Sequence, residues 1–553
     1  MLRLLTSVLL PLIQSPRPMP EARVASVHDL ADGEMKTVTV ADTDVLLSRV
    51  DGTFHACGAH CTHYGAPLAD GALHGPMVTC PWHHAQFDVT DGALVDPPAL
   101  DALARYSVRV EGDDVFVRVP DDADETPEGA AYRESGGVTP PMTDREPDLR
   151  TFVIAGGGAA GEVAAETLRE VGFTGRLVVV TAEDVAPYDR TILSKSYLAG
   201  DAGDDALLLR DDAFYERHDI DVLCGATVTK LDTESKEIHF AEAGSETLSY
   251  DRVLLATGST PHTLDVPGAK LDGVHTLRGW QDAQRIVEEA EDASRAVVVG
   301  SSFIGMEAAA NLSARGLEVT VISHDEVPFE AVLGADVGRV LQRVHEEHGV
   351  TFHLGRGVRR IEKTDAGLAA TMTNGEKAEG DFILVGIGVT PRAGYAEELV
   401  TADDGGVIVD DHLRVRDDVF AAGDIAHFPE PRTGERVRIA HWRLAQQHGR
   451  IAARNMMGES VPYRGVPFFW SGQFGVNLRY LGHAADWDEV HVDGSLDDRT
   501  FIAYYIKGGD VLAAASIGRD RETAALHALM LAGQPPSADE VKEGVDLLAR
   551  LKE

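Results

Sequence analysis

TFVIAGGGAAGEVAAETLREV, residues 151–171, fixes the fold of the larger part of this chain. The apolar run TFVIA predicts a buried strand, and GEVAAETLREV carries apolar residues at helical spacing. Between them, Gly156-Gly157-Gly158-Ala159-Ala160-Gly161 is a G-x-G-x-x-G turn whose key positions are Gly156, Gly158 and Gly161. Such glycines let the backbone approach a pyrophosphate seated on the helix N-terminus. The next strand, LVVVTAED, places Glu183 where an acid can hold an adenosine ribose; an ordinary surface acid is the competing reading. The unit recurs 144 residues later as RAVVVGSSFIGMEAAANLSARG, with Gly300 and Gly305. Two strand–glycine–helix units predict two Rossmann-like α/β domains.

The second unit departs from the pattern. Ser302 stands at the middle glycine and would crowd a pyrophosphate. After strand VTVI, Ser323, His324 and Asp325 occupy the region that holds the ribose of a nicotinamide dinucleotide. The usual acid that selects NADH is missing there, which leaves NADH and NADPH both open.

Residues 21–119 read differently. Short alternating runs with Asp-Gly turns predict an antiparallel all-β domain. Within it, Cys61-Thr62-His63 and Cys80-Pro81-Trp82-His83 are separated by 16 residues. Each half offers one thiolate and one imidazole, the set a Rieske [2Fe–2S] cluster requires: Cys61 and Cys80 on one iron, His63 and His83 on the other. Neutral imidazoles in place of thiolates raise the potential to roughly −150 to +300 mV, against about −400 mV for all-Cys plant-type clusters. A Cys₂His₂ zinc site is the rival, but structural zinc favours pairs spaced by two to four residues. His55, His60, His74 and His84 do not fit the pair spacing and are expected to be surface or packing residues. Cys57 lacks a partner in the second loop.

Composition sets the outer bounds. Ninety acidic against fifty basic residues give a net charge of −40, a field that repels nucleic acid and anionic membranes. An acidic surface adapted to high salt and an ordinary acidic cytoplasmic protein both fit. Four cysteines are too few for a disulfide framework. Cys224, alone in DVLCGATV, is expected in the core. The start MLRLLTSVLLPLI is too short to span a bilayer; residues 1–20 read as a disordered leader, with Met19 as an alternative start. Residues 120–148, rich in Pro, Gly and acid, read as a flexible linker that lets the β domain range on a tether.

The division that follows is 21–119 for the cluster domain, 149–270 with 391–460 for FAD, 271–390 for NAD(P), and 461–553 for a C-terminal α+β module. From residue 149 onward the chain closely resembles the ferredoxin-reductase and apoptosis-inducing-factor branch of FAD/NAD(P) oxidoreductases. The resemblance rests on PYDRTILSKSYLAG, LLATGSTP, VGIGVTPR, VFAAGDIA, HWRLAQQHGRIAARNM and FFWSGQ, in family order. It implies that Arg190, Thr257, Gly258 and Gly388 line the cofactors and that Asp424 binds the ribityl chain. It further implies that Trp470 lies close to the isoalloxazine, and that Lys195 sits near flavin N5, paired with Glu307 by the nicotinamide. Ala440 stands where many relatives carry Glu. The flanking CTHYGAPL and CPWHHAQFDVTDG resemble Rieske domains, in which His84 is usually Gly. With the Rieske domain first, the order resembles the apoptosis-inducing-factor-like Rieske flavoproteins.

A nicotinamide gives an electron pair, a [2Fe–2S] cluster takes one electron, and flavin can do both. The expectation is therefore a cytoplasmic NAD(P)H-dependent oxidoreductase that passes electrons through FAD to its own cluster and on to an unidentified protein or small molecule. It is expected to bind no nucleic acid and to have no membrane span. A redox-sensing or scaffold flavoprotein with slow turnover is the alternative. Neither a Cys pair nor a lone redox Cys follows the first flavin helix, which disfavours disulfide reduction.

Overall fold

A computed structural model describes residues 20–120, 148–241 and 247–552. Almost all of the expected leader and linker lies outside the described residues.

The N-terminal domain pairs a six-stranded antiparallel sheet, built on Glu21–Ser26, Glu34–Val40, Thr43–Val50, Thr53–Gly58, Arg105–Glu111 and Asp114–Arg118, with a four-stranded sheet over Ala72–Asp96. The Cys61 loop leaves the end of the fourth strand, and the Cys80 loop joins Met77–Thr79 to Gln86–Asp88. Both loops fold as the same turn. Cys61 N–H donates to the Ala66 carbonyl (2.8 Å) and Cys80 N–H to that of Ala85 (2.9 Å). Gly65 (φ +75°) and His84 (φ +60°) occupy the matching left-handed position. His84 thus takes a backbone state that favours glycine.

The first Rossmann-like domain has a six-stranded sheet whose central strands, Thr151–Ala155, Arg176–Val180 and Arg252–Leu255, run parallel. The second has five parallel strands centred on Arg295–Val299. The two domains exchange chain through the short pair Ser259–Pro261 and Val389–Pro391. After each glycine turn comes a helix: α1 (Ala159–Glu170) in the first unit and α2 (Phe303–Ala314) in the second. A third helix, α3 (Trp442–Met456), lies so close to α1 that a Cβ on Gly449 would sit 2.2 Å from the Ala160 carbonyl. The C-terminal module is a five-stranded antiparallel sheet from Phe468 to Ile517, followed by α4 (Asp520–Leu531).

The sequence predicts a β domain that reaches the flavin on a tether; in the structure this domain is seated on the reductase. Fully buried Arg443 of α3 ion-pairs with Asp96, and His84 lies buried against Phe468 and His527 of the C-terminal module. The reason is local: the loops next to Cys80 present carbonyls and an imidazole that find donors and rings on the facing surface. Cys224 is not in the core. It follows strand Ile220–Leu223, at the outer edge of its sheet, and is half-buried along an acidic cleft with Asp184, Asp212 and Trp280. Among the described residues, no helix is long and apolar enough to cross a membrane.

Candidate functional site

Two cavities share the walls formed by Gly158, Arg190, Ala256, Gly258, Pro261 and Arg278. The larger, about 660 Å³, runs over the first glycine turn past Glu183 and Thr257; the smaller, about 320 Å³, is walled by Lys195, Glu307, Asp424, His441 and Trp470. Together they form a long slot of the kind FAD requires. The turn at its centre is compact. A Cβ on Gly156 (φ +122°) would meet the Ala256 carbonyl at 2.1 Å, and one on Gly161 the Gly156 carbonyl at 1.9 Å. A Cβ on Gly158 would meet no protein atom within 4 Å, so that position faces open space where a pyrophosphate can lie.

Glu183 lines this slot, and its carboxylate is engaged by the Arg190 guanidinium and the Tyr188 hydroxyl. Asp424 accepts from Ser259 Oγ (2.7 Å) and from Arg278 (2.9 Å). Thr257 Oγ1 donates to the Arg392 carbonyl (2.8 Å). In the smaller cavity, Lys195 Nζ meets Glu307 Oε2 at 2.8 Å. Ser194 Oγ donates to the same oxygen (2.5 Å) and Ser471 Oγ to the other (2.7 Å). Three donors thus hold a carboxylate only 2% exposed, the arrangement a buried charge needs. Sequence reasoning missed Ser194, Ser471 and Arg278. The first two stand inside quoted motifs, but their common partner lies more than a hundred residues from each, so no local pattern reveals it.

For the nicotinamide, Ser302, Phe303, Gly386 and Gly388 line the smaller cavity. Gly300 and Gly305 pack tightly, each with a virtual Cβ 2.2 Å from a carbonyl, of Gly386 and Gly300 respectively. Ser323 stands at the end of strand Glu318–Ile322. It is 3% exposed and turned inward, bonding Ser301 Oγ (2.8 Å) and Asp325 (3.2 Å), and it lines neither cavity.

Against the mouth of the smaller cavity stands the Cys/His quartet. His63 Nδ1 and His83 Nδ1 are 3.1 Å apart, and the Cys61 and Cys80 thiols share a hydrogen bond. Among the described residues, only Asp410, Asp411 and His412 bring three possible ligand atoms within 4.8 Å of one another. No three of the quartet do so. Around one zinc, Zn–S bonds of about 2.3 Å and Zn–N bonds of about 2.0 Å would put all four ligand atoms within about 4 Å of one another. Two separate pairs instead fit a two-iron cluster with sulfurs on one iron and nitrogens on the other. Burial pushes His63 down to about 4, against the pull of Asp189, and holds His83 well below its usual range, with His63, Arg479 and Lys195 adding to the effect. Both shifts favour the neutral imidazole, the form that ligates. Cys57 is buried nearby, its thiol pushed up to about 12 by burial. The His83 ring lies 4.3 Å from that of Trp470 and the His63 ring 6.1 Å, centroid to centroid. Tyr64 Oη, beside His63, donates to Asp189 at 2.7 Å, immediately before Arg190.

Residues 150–449 match the pyridine nucleotide-disulphide oxidoreductase family. The chain belongs to that family. This oxidoreductase also matches the Rieske [2Fe–2S] domain over residues 21–107 and the reductase C-terminal domain over 468–551. It is 36% identical over 96% of its length to apoptosis-inducing factor 3 of Homo sapiens, covering 87% of that protein. It is 34% identical over 71% of its length to rhodocoxin reductase of Rhodococcus erythropolis, covering 92%. Among solved structures, a ferredoxin reductase from Rhodopseudomonas palustris is similar with a TM-score of 0.68 at 29% identity, covering 73% of this chain and 99% of that one. The putidaredoxin reductase chain of a covalent complex with putidaredoxin matches with the same TM-score at 27% identity, over the same 73% and 99%. The oxidoreductase is thus an FAD-dependent, ferredoxin-reductase-type enzyme that uses NAD(P)H and carries a Rieske [2Fe–2S] domain.

Proposed function

We propose that this enzyme takes electron pairs from NAD(P)H in the smaller cavity and releases them singly through its own Rieske domain, in the cytoplasm, to an acceptor protein or small molecule. When bound, flavin supplies the conversion of an electron pair into single electrons, and the cluster carries one electron at a time. The chain's own residues supply the arrangement. Lys195, fixed by Glu307 and the Thr191 carbonyl (3.2 Å), holds a positive charge at the cavity wall. Glu307 keeps that charge in place, and Ser194 and Ser471 hold the Glu307 carboxylate by hydrogen bonds away from bulk water. Asp424 and Arg278 present a matched acceptor and donor deeper in the slot.

One observation carries the reading: Trp470 lines the flavin cavity and also packs on ligand His83. Trp470 thus touches both sites. That curated relatives include ferredoxin–NAD(+) reductase components of dioxygenase systems supports an electron-accepting protein as the final partner.

The test is anaerobic titration of the loaded protein with NADH and NADPH, reading optical and EPR spectra on the same sample. Flavin should bleach and a Rieske EPR signal should grow in step. A cluster that stays oxidised while the flavin is fully reduced would remove the internal route. Rapid turnover on an added acceptor excludes the slow redox-sensing alternative.

A further inference from the structure

The reductase meets the docked face of the Rieske domain largely through arginines. Arg443 Nε donates to the Pro97 carbonyl (2.7 Å), and its Nη2 donates to the His84 carbonyl (3.1 Å) and to Asp96. Arg450 donates to the Leu94 carbonyl (3.2 Å). Arg479 donates to the carbonyls of Pro81 and Trp82 (3.2 Å each). Arg210 reaches Asp101 (3.0 Å) and the Leu100 carbonyl (3.2 Å). In each of these arginine contacts the Rieske domain supplies the acceptor, while Arg210, Arg450 and Arg479 also pair with Glu166, Glu170 and Asp520 of the reductase and Tyr64 donates the other way, to Asp189. Four guanidiniums gathered on one seat, in a chain of net charge −40, make a built surface.

That seat has the energetics of one made to be left. Arg443 is fully buried, and a buried ion pair largely spends its attraction on desolvation, so it sets register more than it adds affinity. His84 and His527 share one hydrogen bond through their Nδ1 atoms (3.0 Å). Their Nε2 atoms are buried with no partner among the described residues. Each unpartnered nitrogen is a cost that ends when water enters the interface. The cluster histidines are meanwhile only partly exposed, with the Trp470 ring packed on His83 and close to His63, which narrows an outside protein's approach to them in this position.

We propose that the docked arrangement is the loading position, and that the same rim of carbonyls with Asp96 and Asp101, once lifted off the arginines, is the binding face for a basic electron-accepting protein. The proposal rests on the internal electron route above. One electron leaves the reduced cluster and enters the acceptor's oxidised centre; no bond is made and no proton moves.

The test uses the full, cofactor-loaded chain, NADH as donor, and cytochrome c as a basic one-electron probe at low ionic strength. Ferricyanide is the small-molecule control. Asp96→Asn weakens both the latch and the rim, so the plateau rate with cytochrome c should rise about fivefold and its KM should rise about fivefold too, with ferricyanide turnover unchanged. His527→Ala weakens the latch from the reductase side only, so the plateau should rise with KM unchanged. Raising the salt should raise KM for the wild type and narrow its difference from Asp96→Asn. Plateau rates that stay at the wild-type value in both variants overturn the proposal, as does an unchanged KM in Asp96→Asn. A Trp82→Ala variant that slows cytochrome c while both latch variants have no effect would also overturn it, placing the exit at the exposed Trp82 instead. If NADH reduces the wild-type cluster and the variants show no effect, the shared face fails and the internal route stands. If NADH leaves the cluster oxidised, both fail.

Discussion

The rings of His83 and Trp470 lie 4.3 Å apart, inclined by 43°, with His83 in the cluster loop and Trp470 in the wall of the flavin cavity. Replacing the indole with an aliphatic side chain removes the aromatic contact without adding charge. In Trp470→Leu, stopped-flow reduction of the cluster by NADH should slow by about tenfold, equivalent to about 1.4 kcal/mol. Flavin bleaching in the same trace should change less than cluster reduction. Equal slowing of both phases would place Trp470 in nicotinamide chemistry instead.

The paired geometry of Cys61, Cys80, His63 and His83 predicts metal content. Protein made with iron in supply should hold about two irons and two acid-labile sulfides per chain, and no stoichiometric zinc. His63→Ala should lose the Rieske EPR signal while keeping the flavin spectrum, because no flavin-cavity wall depends on it. Zinc bound one per chain in iron-replete protein would sink the cluster assignment.

Glu307 is the charge partner of Lys195 and is held by two serines. Glu307→Gln keeps the shape and leaves the ammonium without its counter-charge. The rate of flavin reduction at saturating NADH should fall by about 10²-fold, or about 2.7 kcal/mol, with FAD content unchanged. A rise in KM alone would make Glu307 a binding residue only.

Glu162 and Glu166 are successive turns of α1, both buried. Burial, and then the Glu166 carboxylate, push Glu162 well above its usual range; Tyr215 and Arg210 pull the other way more weakly. A carboxyl with a raised native value contributes stability that is complete below its unfolded value and is lost as pH rises through the native one. Glu162→Gln removes that loss. Its thermal midpoint should therefore exceed the wild type's at alkaline pH, by at least about 1 kcal/mol in stability, and the two should converge in acid. Parallel curves across pH would refute the assignment.

The parts of this molecule that announce themselves in sequence are those whose chemistry sits within a few residues. The glycine turns at 156–161 and 300–305 and the Cys-x-His pairs need local spacing, and the spacing is visible. What joins them is not local. Arg443 and Asp96 are 347 positions apart, and nothing around either marks the other. The docking therefore came only from the structure, although His84, standing at a left-handed position where Gly65 stands in the sister loop, was a visible oddity whose reason is its packing on Phe468. Cys224 misled because DVLCG reads as core, whereas its strand lies at the sheet edge.

Comparing the two glycine turns gives a final prediction. Gly158 and Ser302 are the residues preceding α1 and α2, with nearly equal backbone angles, φ/ψ of −89°/−169° and −96°/−171°. At Gly158 a Cβ would project into open space, the space a pyrophosphate needs. By this equivalence the Ser302 side chain projects into the corresponding space over α2, where it also lines the cavity and is itself exposed. Ser302→Gly should relieve that crowding without touching Lys195 or Glu307. The KM for NAD(P)H should fall about threefold, roughly 0.6 kcal/mol, with kcat unchanged. If KM instead rises, the Ser302 hydroxyl is a phosphate donor, and the serine is an adaptation of the turn that improves nucleotide binding.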